Sequence, residues 1–191
     1  MESLRINKSA IALLDFLIAF EDFMYHKNQK IQLRLGCEGD GKNVAQIHYR
    51  AVHEIASNNY SENILNAWGR PLSKEELDKR EENFNRRIKK NIVVIAEIDE
   101  KMAGFGEISL QENELTALYV NPDFKRQGVG TAIAVNLESR AKQGGLKSLK
   151  LHSSLTAESF YKQNGFQREK EGTHILATGE QMACVIMRKS L

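Results

Sequence analysis

The chain has 191 residues, 41% of them hydrophobic and 27% charged, with a formal net charge of +2 and two cysteines. That balance suits one globular domain with a small appendage, whose core needs no disulfide staples. A charge so near zero gives no basis for a nucleic-acid or membrane partner. Cys37 and Cys184 lie beside apolar segments and read as buried, reduced thiols of a cytoplasmic protein, and the five histidines show no metal-ligand spacing.

Residues 1–30 are predicted to be an N-terminal helical extension. The run "SAIALLDFLIAF" is too short to span a bilayer, and Asp15 interrupts it. Glu21 and Asp22 stand where a signal-peptide cleavage site would be. As a helix it places Ile11, Leu14, Leu17, Ile18 and Met24 on a broad apolar face. That face either packs on its own domain or forms the subunit contact of a homodimer.

From Lys30 the pattern changes. "KIQLRLG" alternates as a half-buried strand, with Ile31, Leu33 and Leu35 on one side. Val44, Ile47, His48, Ala51 and Ile55 recur at helical spacing up to Asn58-Asn59, and "SENILNAWG" reads as a short second helix with Ser61 as N-cap. Ser73-x-x-Glu76 is a capping box opening a third helix, which turns Leu77, Phe84 and Ile88 inward and its many Lys, Arg and Glu residues to solvent. "NIVVIAEI" and "MAGFGEISL" flank Asp99-Glu100-Lys101 as an antiparallel hairpin, and "ELTALYV" is a third strand. Gly130, Ile133, Ala134, Leu137 and Ala141 mark a helix stopped by Gly144-Gly145. "LKSLKLH" is a strand, Ser154 or Thr156 caps a short helix ending at Asn164-Gly165, and "THILA" and "MACVIM" form a last hairpin across "TGEQ". The order predicts an α/β (α+β) protein with a mixed, mostly antiparallel sheet flanked by helices.

Two glycine-rich stretches compete as phosphate sites. "GCEGDGKN", Gly36 to Asn43, falls one residue short of a P-loop, and "IVVIAEIDE" imitates the acidic strand end that holds Mg²⁺ in such proteins. Asn43 stands where a hydroxyl must ligate the metal, however. The strand before it alternates instead of running apolar, and Asp99-Glu100 sits in a tight turn. This stretch reads as a loop capping the next helix. "LYVNPDFKRQGVGTAI" differs in kind, because Gly128 and Gly130 open a helix directly. Amides of the first turn point at one place there, with about half a positive charge from the macrodipole. Lys125 and Arg126 add cations, so the stretch reads as a diphosphate site, or else as an ordinary strand-to-helix turn.

Those residues resemble the acetyl-CoA-binding signature of the GNAT superfamily of N-acetyltransferases, in its bacterial small-molecule or protein-acetylating forms. Lys125-x-x-Gly128-x-Gly130 is similar to the family's [QR]-x-x-G-x-[GA]. "SSLTAESFYKQNGF" resembles a second family segment through Ala157, Phe160, Tyr161, Gly165 and Phe166, with Ser154 in place of the usual Asn. The resemblance covers residues 31–191 as one N-acetyltransferase domain. It implies a sheet splayed between two parallel strands, 115–120 and 147–152, with acetyl-CoA wedged between them. The backbone of Leu118, Tyr119 and Val120 would pair with the pantetheine arm. Lys125, Arg126, Gln127, Gly128, Val129, Gly130 and Thr131 would hold the diphosphate, and Ser154, Ala157 and Tyr161 would line the remainder.

For catalysis the resemblance implies Glu114 as general base, eleven residues before Lys125 as in histone-acetylating members, with Glu97 and Glu107 as substitutes. It implies Tyr161 as proton donor to the departing thiolate. The plain alternatives are a strand-end charge and a packing tyrosine. Trp68 and Phe84 read as core or pocket wall, Tyr60 and His174 as facing the acceptor, and Met102 and Met182 as packing. The expected activity is transfer of an acetyl group from acetyl-CoA to a primary amine by direct attack in a ternary complex. A non-catalytic acyl-CoA-binding regulatory module and a P-loop nucleotide-binding protein are the alternatives. Fold alone does not fix the acceptor.

Overall fold

The computed structural model describes residues 30–191, so the predicted N-terminal helix and its subunit contact lie outside the described residues. In chain order the elements are β1 (Gln32–Leu35), α1 (Gly41–Ile55), α2 (Glu62–Trp68), α3 (Lys74–Arg87), β2 (Ile92–Ile98), β3 (Lys101–Ser109), β4 (Glu114–Val120), α4 (Val129–Gln143), β5 (Ser148–Ser154), α5 (Glu158–Gln163), β6 (Gln167–Ile175) and β7 (Gln181–Ser190). A short 3-10 turn, Pro122–Phe124, joins β4 to the start of α4. The strands form one sheet in the order β1-β2-β3-β4-β5-β7-β6. β4 and β5 run parallel and the other neighbours antiparallel. This is the mixed, mostly antiparallel α/β architecture the chain order predicts.

Local chemistry sets the element ends. Asp99 and Glu100 both take positive φ, 49° and 61°, which makes the β2–β3 connection a two-residue turn, tighter than expected. Its twist matches that of the flanking strands. Ser73 Oγ accepts the Glu76 amide at 3.1 Å, as the capping box requires. Gly106 lets α4 seat on β3, since a Cβ there would lie 2.6 Å from Ile133 Cγ2 and 2.8 Å from Leu137 Cδ1. Ile133, Leu137 and Ala141 are fully buried against the sheet. Each large apolar side chain so buried contributes about 1.5–3 kcal/mol. On the other face Val44, Ile47 and Phe84 pack against Val93, Ile95 and Phe105.

The feature that positions the site is a splay. β4 and β5 pair at Glu114↔Lys150, the one paired position between them among the described residues. Lys150 N donates to Asn113 O there at 3.0 Å. Between β3 and β4 the register passes from Ile108↔Leu115 to Glu107↔Ala117, leaving Thr116 as an extra residue. A bulge bends its strand and increases its twist, and here it turns β4 away from β5. Beyond the splay, Lys189 of β7 donates to both carboxylate oxygens of Glu138 on α4 and to the carbonyl of Asn164, each at 2.7 Å.

Several expectations are corrected. Cys184 is buried but Cys37 is exposed, because it sits in the turn leaving an edge strand. Leu35 is 51% exposed for the same reason. β6 begins well before "THILA": its residues are almost all exposed, so main-chain pairing to β7 makes the strand where no alternation announces it. β5 runs on to Ser154. No helix among the described residues is long and apolar enough to cross a membrane.

Candidate active site

The Gly36–Asn43 stretch is settled by what fills it. β1 is an antiparallel edge strand, not a central parallel one. Arg34 donates to both Asp40 oxygens at 2.7 Å. Glu81 of α3 accepts the amides of Gly39 at 2.9 Å and Lys42 at 2.8 Å. The anion position at the start of α1 thus holds the chain's own carboxylate.

The turn before α4 is built otherwise. Arg126 and Gly128 take left-handed φ of 65° and 83°, which curls the chain into the helix. The first intrahelical bond is Ala132 N to Gly128 O at 2.9 Å, so the amides of Val129, Gly130 and Thr131 precede it. A Cβ on Gly130 would come within 3.1 Å of the Phe160 ring, so glycine lets α4 start beside α5. The Val129 side chain is core, and only its amide is available to a ligand. Lys125, Arg126, Gly128 and Thr131 are exposed around the turn, and Gln127 is half-buried.

Two cavities flank β4. One, of about 310 Å³, lies in the splay, where Leu118, Tyr119 and Val120 face Ser154, Ala157 and Tyr161, with Gly130 and Glu114 at its margins. Of the remaining expected ligand-binding residues, Lys125, Arg126, Gln127, Gly128, Val129 and Thr131 do not line it. Ser154 Oγ accepts the Ala157 amide at 3.2 Å, so this hydroxyl closes the turn leading into α5 as well as lining the cleft, while the N-cap of the helix is Ala157 and neither Ser154 nor Thr156. Tyr161 is buried between Phe160 and Phe166, with ring centroids at 5.1 and 5.6 Å. Burial pushes its phenol well above the usual range, so the hydroxyl keeps its proton at neutral pH. Glu114 lies 3.1 Å from Lys150 Nζ and 3.7 Å from His152 Nδ1.

The other cavity, of about 480 Å³, lies between α1, α3 and the sheet. Trp68, Thr116, Ala117, Tyr119 and His174 line both, so the cavities meet at the bulged segment of β4. Trp68 Nε1 donates to the Tyr119 hydroxyl at 3.1 Å, and burial pushes the Tyr119 phenol up to about 12. Glu107 is buried and clamped by Arg87 and by Asn91 Nδ2, the latter at 2.6 Å. Glu97 is bonded to Arg34 at 2.9 Å and lines neither cavity. Tyr60 also lies outside both: its hydroxyl donates to Ala183 O at 2.8 Å and accepts the Leu155 amide at 2.7 Å.

Sequence reasoning missed three residues here. Arg80 Nη1 lies 3.3 Å from His48 Nδ1, which makes that nitrogen the acceptor and leaves the proton on Nε2. Burial, aided by Arg80 and Arg87, pushes His48 down to about 3, so it stays neutral. Arg80 and Arg87 belong to the helix expected to turn its charges to solvent. They recur with Phe84 at helical spacing, and that shared stripe was the available signal.

The acetyltransferase (GNAT) domain family matches residues 56–183. The chain belongs to the GNAT acetyltransferase family. It is 30% identical over 141 residues to the uncharacterized N-acetyltransferase YafP of Escherichia coli (strain K12), covering 74% of this chain and 84% of that one. It superposes on the GCN5-related N-acetyltransferase "Aminotransferase, Class-II" of Rhodopseudomonas palustris with a TM-score of 0.75 and 26% identity, covering 84% and 95% of the two chains. The PaiA N-acetyltransferase of Thermoplasma acidophilum, solved in complex with coenzyme A, shares the fold with a TM-score of 0.67 and 21% identity, over 85% and 99%. This GNAT protein is therefore an N-acetyltransferase, and membership of the family implies acetyl transfer from acetyl-CoA.

Proposed function

We propose that this GNAT protein binds acetyl-CoA in the β4–β5 splay and acetylates a primary amine entering from the second cavity, in one ternary complex. The observation that carries the reading is that the two cavities meet at Thr116, Ala117 and Tyr119 of β4. The residues present fit the donor. The edge of β4 beyond Glu114 faces the cleft without pairing to β5, and its backbone suits the pantetheine amides. The amides of Val129, Gly130 and Thr131 suit a diphosphate, with Lys125 and Arg126 as mobile cations and Gln127 and Gly128 shaping the turn. Acetyl-CoA supplies the thioester carbonyl.

The amine nitrogen forms the new N–C bond as the C–S bond breaks. Its surplus proton passes through water to Glu114, and His174, which lines both cavities, stands on that route. Tyr161 supplies a proton to the departing sulfur. Both carboxylates have cationic neighbours, but Glu107 is the poorer base, because it is fully buried, bonded by Arg87 and Asn91, and does not line the splay, whereas Glu114 does. The test is Tyr161→Phe, which should lower kcat about 10²-fold with acetyl-CoA affinity unchanged. An unchanged kcat removes Tyr161 from the chemistry. Acetyl-CoA that fails to bind in isothermal titration removes the cleft assignment altogether.

A further inference from the structure

The second cavity has a charge that the reaction itself does not call for. Three guanidinium groups line it: Arg70, Arg80 and Arg87. Arg87 is neutralised by the buried Glu107. Arg70 Nη2 and Arg80 Nε both converge on one oxygen of one carboxylate, Glu76 Oε1, at 3.0 and 2.9 Å. Two cations sharing one anion leave one positive charge on the wall. His48 beside Arg80 is a neutral imidazole and does not offset it.

Arg80 is also held in place, its side chain being 15% exposed. One guanidinium carries five N–H donors. Those of Arg80 meet Glu76, His48 and, at a long 3.5 Å, the Arg70 carbonyl, which leaves donors over. Opposite lie Trp68, Phe105 and Tyr119, an apolar and aromatic wall. A substrate that only adds positive charge, such as a diamine or an aminosugar antibiotic, meets like charge here. A substrate with a carboxylate neutralises the wall and gains charge-assisted, fork-shaped hydrogen bonds.

We propose that the acceptor is a small primary amine that also carries a carboxylate, an amino acid or a close relative, with Arg70 and Arg80 as the carboxylate seat. This deepens the proposed function and rests on it. The transfer is unchanged: the amine gains the acetyl group and loses a proton, and the thiolate gains one. The wall's positive charge also favours the neutral, attacking form of the amine.

The experiment compares matched pairs with acetyl-CoA by free-thiol release: phenylalanine with phenethylamine, lysine with cadaverine, arginine with agmatine. The acid of at least one pair should exceed its decarboxylated twin in kcat/KM by about 10-fold or more, the worth of one charge-assisted contact. Arg70→Gln and Arg80→Lys should each raise KM for that acid and pull the ratio towards one. Arg70 is 47% exposed, so its variant should fold even where the Arg80 variant does not. Three outcomes overturn the proposal: twins turned over better than acids, a ratio unmoved by both variants, or no acid used although acetyl-CoA binds. Failure of acetyl-CoA to bind, by contrast, is failure of the cleft assignment.

Discussion

Two glycine-rich turns launch two long helices in this chain, and they differ in what meets the first amides. Before α1, Glu81 reaches across from α3 and takes the amides of Gly39 and Lys42. Before α4, the amides of Val129, Gly130 and Thr131 come ahead of the first intrahelical bond, and no carboxylate among the described residues is bonded to them. Both turns use left-handed glycines, Gly39 at 98° and Gly128 at 83°. Before α1 the amides seat a carboxylate of the chain itself, and before α4 they are the proposed seat of the diphosphate. Whether the seat serves the fold or a ligand depends on a residue 42 positions away from Gly39.

That contrast can be broken experimentally. The largest effect is expected from Gly128→Val, which forces a branched side chain into left-handed φ at about 1–3 kcal/mol and disturbs the free amides. Acetyl-CoA affinity should fall by about 10-fold or more in isothermal titration. An unchanged affinity would mean that the turn does not seat the diphosphate. Glu81→Ala should do the opposite, costing about 1–2 kcal/mol of stability in urea unfolding through two lost amide contacts, with acetyl-CoA affinity intact. If it weakened acetyl-CoA instead, the division between the two turns would collapse.

The smallest effect is a pH dependence at the first turn. Burial opposes ionisation of Asp40, but bonds from Arg34 and the Cys37 amide outweigh it and hold the carboxyl below its usual range. The stability this provides is complete above the unfolded carboxylate value of about 3.9 and is lost as pH falls through the lower folded value. Asp40→Asn should therefore flatten the stability profile below about pH 4. Equal acid sensitivity in wild type and variant would show that the Arg34–Asp40 clamp is not what acid breaks.

The same two turns show what the amino-acid sequence can and cannot carry. Strand alternation around "KIQLRLG" and the acidic pair at Asp99-Glu100 were enough to reject the P-loop, because periodicity and turn length are local. The cleft residues from Leu118 to Val120, Ser154, Ala157 and Tyr161 lay in recognisable segments, and the structure brings them to one cavity. What escaped was pairing across distance. Nothing near Glu81 shows that it caps another helix. Nothing near Arg80 shows that Glu76 must serve Arg70 as well. The "THILA" boundary failed because an exposed edge strand has no apolar face to alternate.

The splay has a mechanical side too. A sheet normally carries force through its ladders, yet β4 and β5 share one paired position among the described residues. The strands on either side are joined instead through α4, by its buried face on β2 and β3 and by Glu138 gripping Lys189 of β7. The helix is thus the tie bar between two plates. Strain applied at the cleft is shared between the apolar core that α4 forms with β5 and β7 and the single ammonium–carboxylate clasp of Lys189 and Glu138.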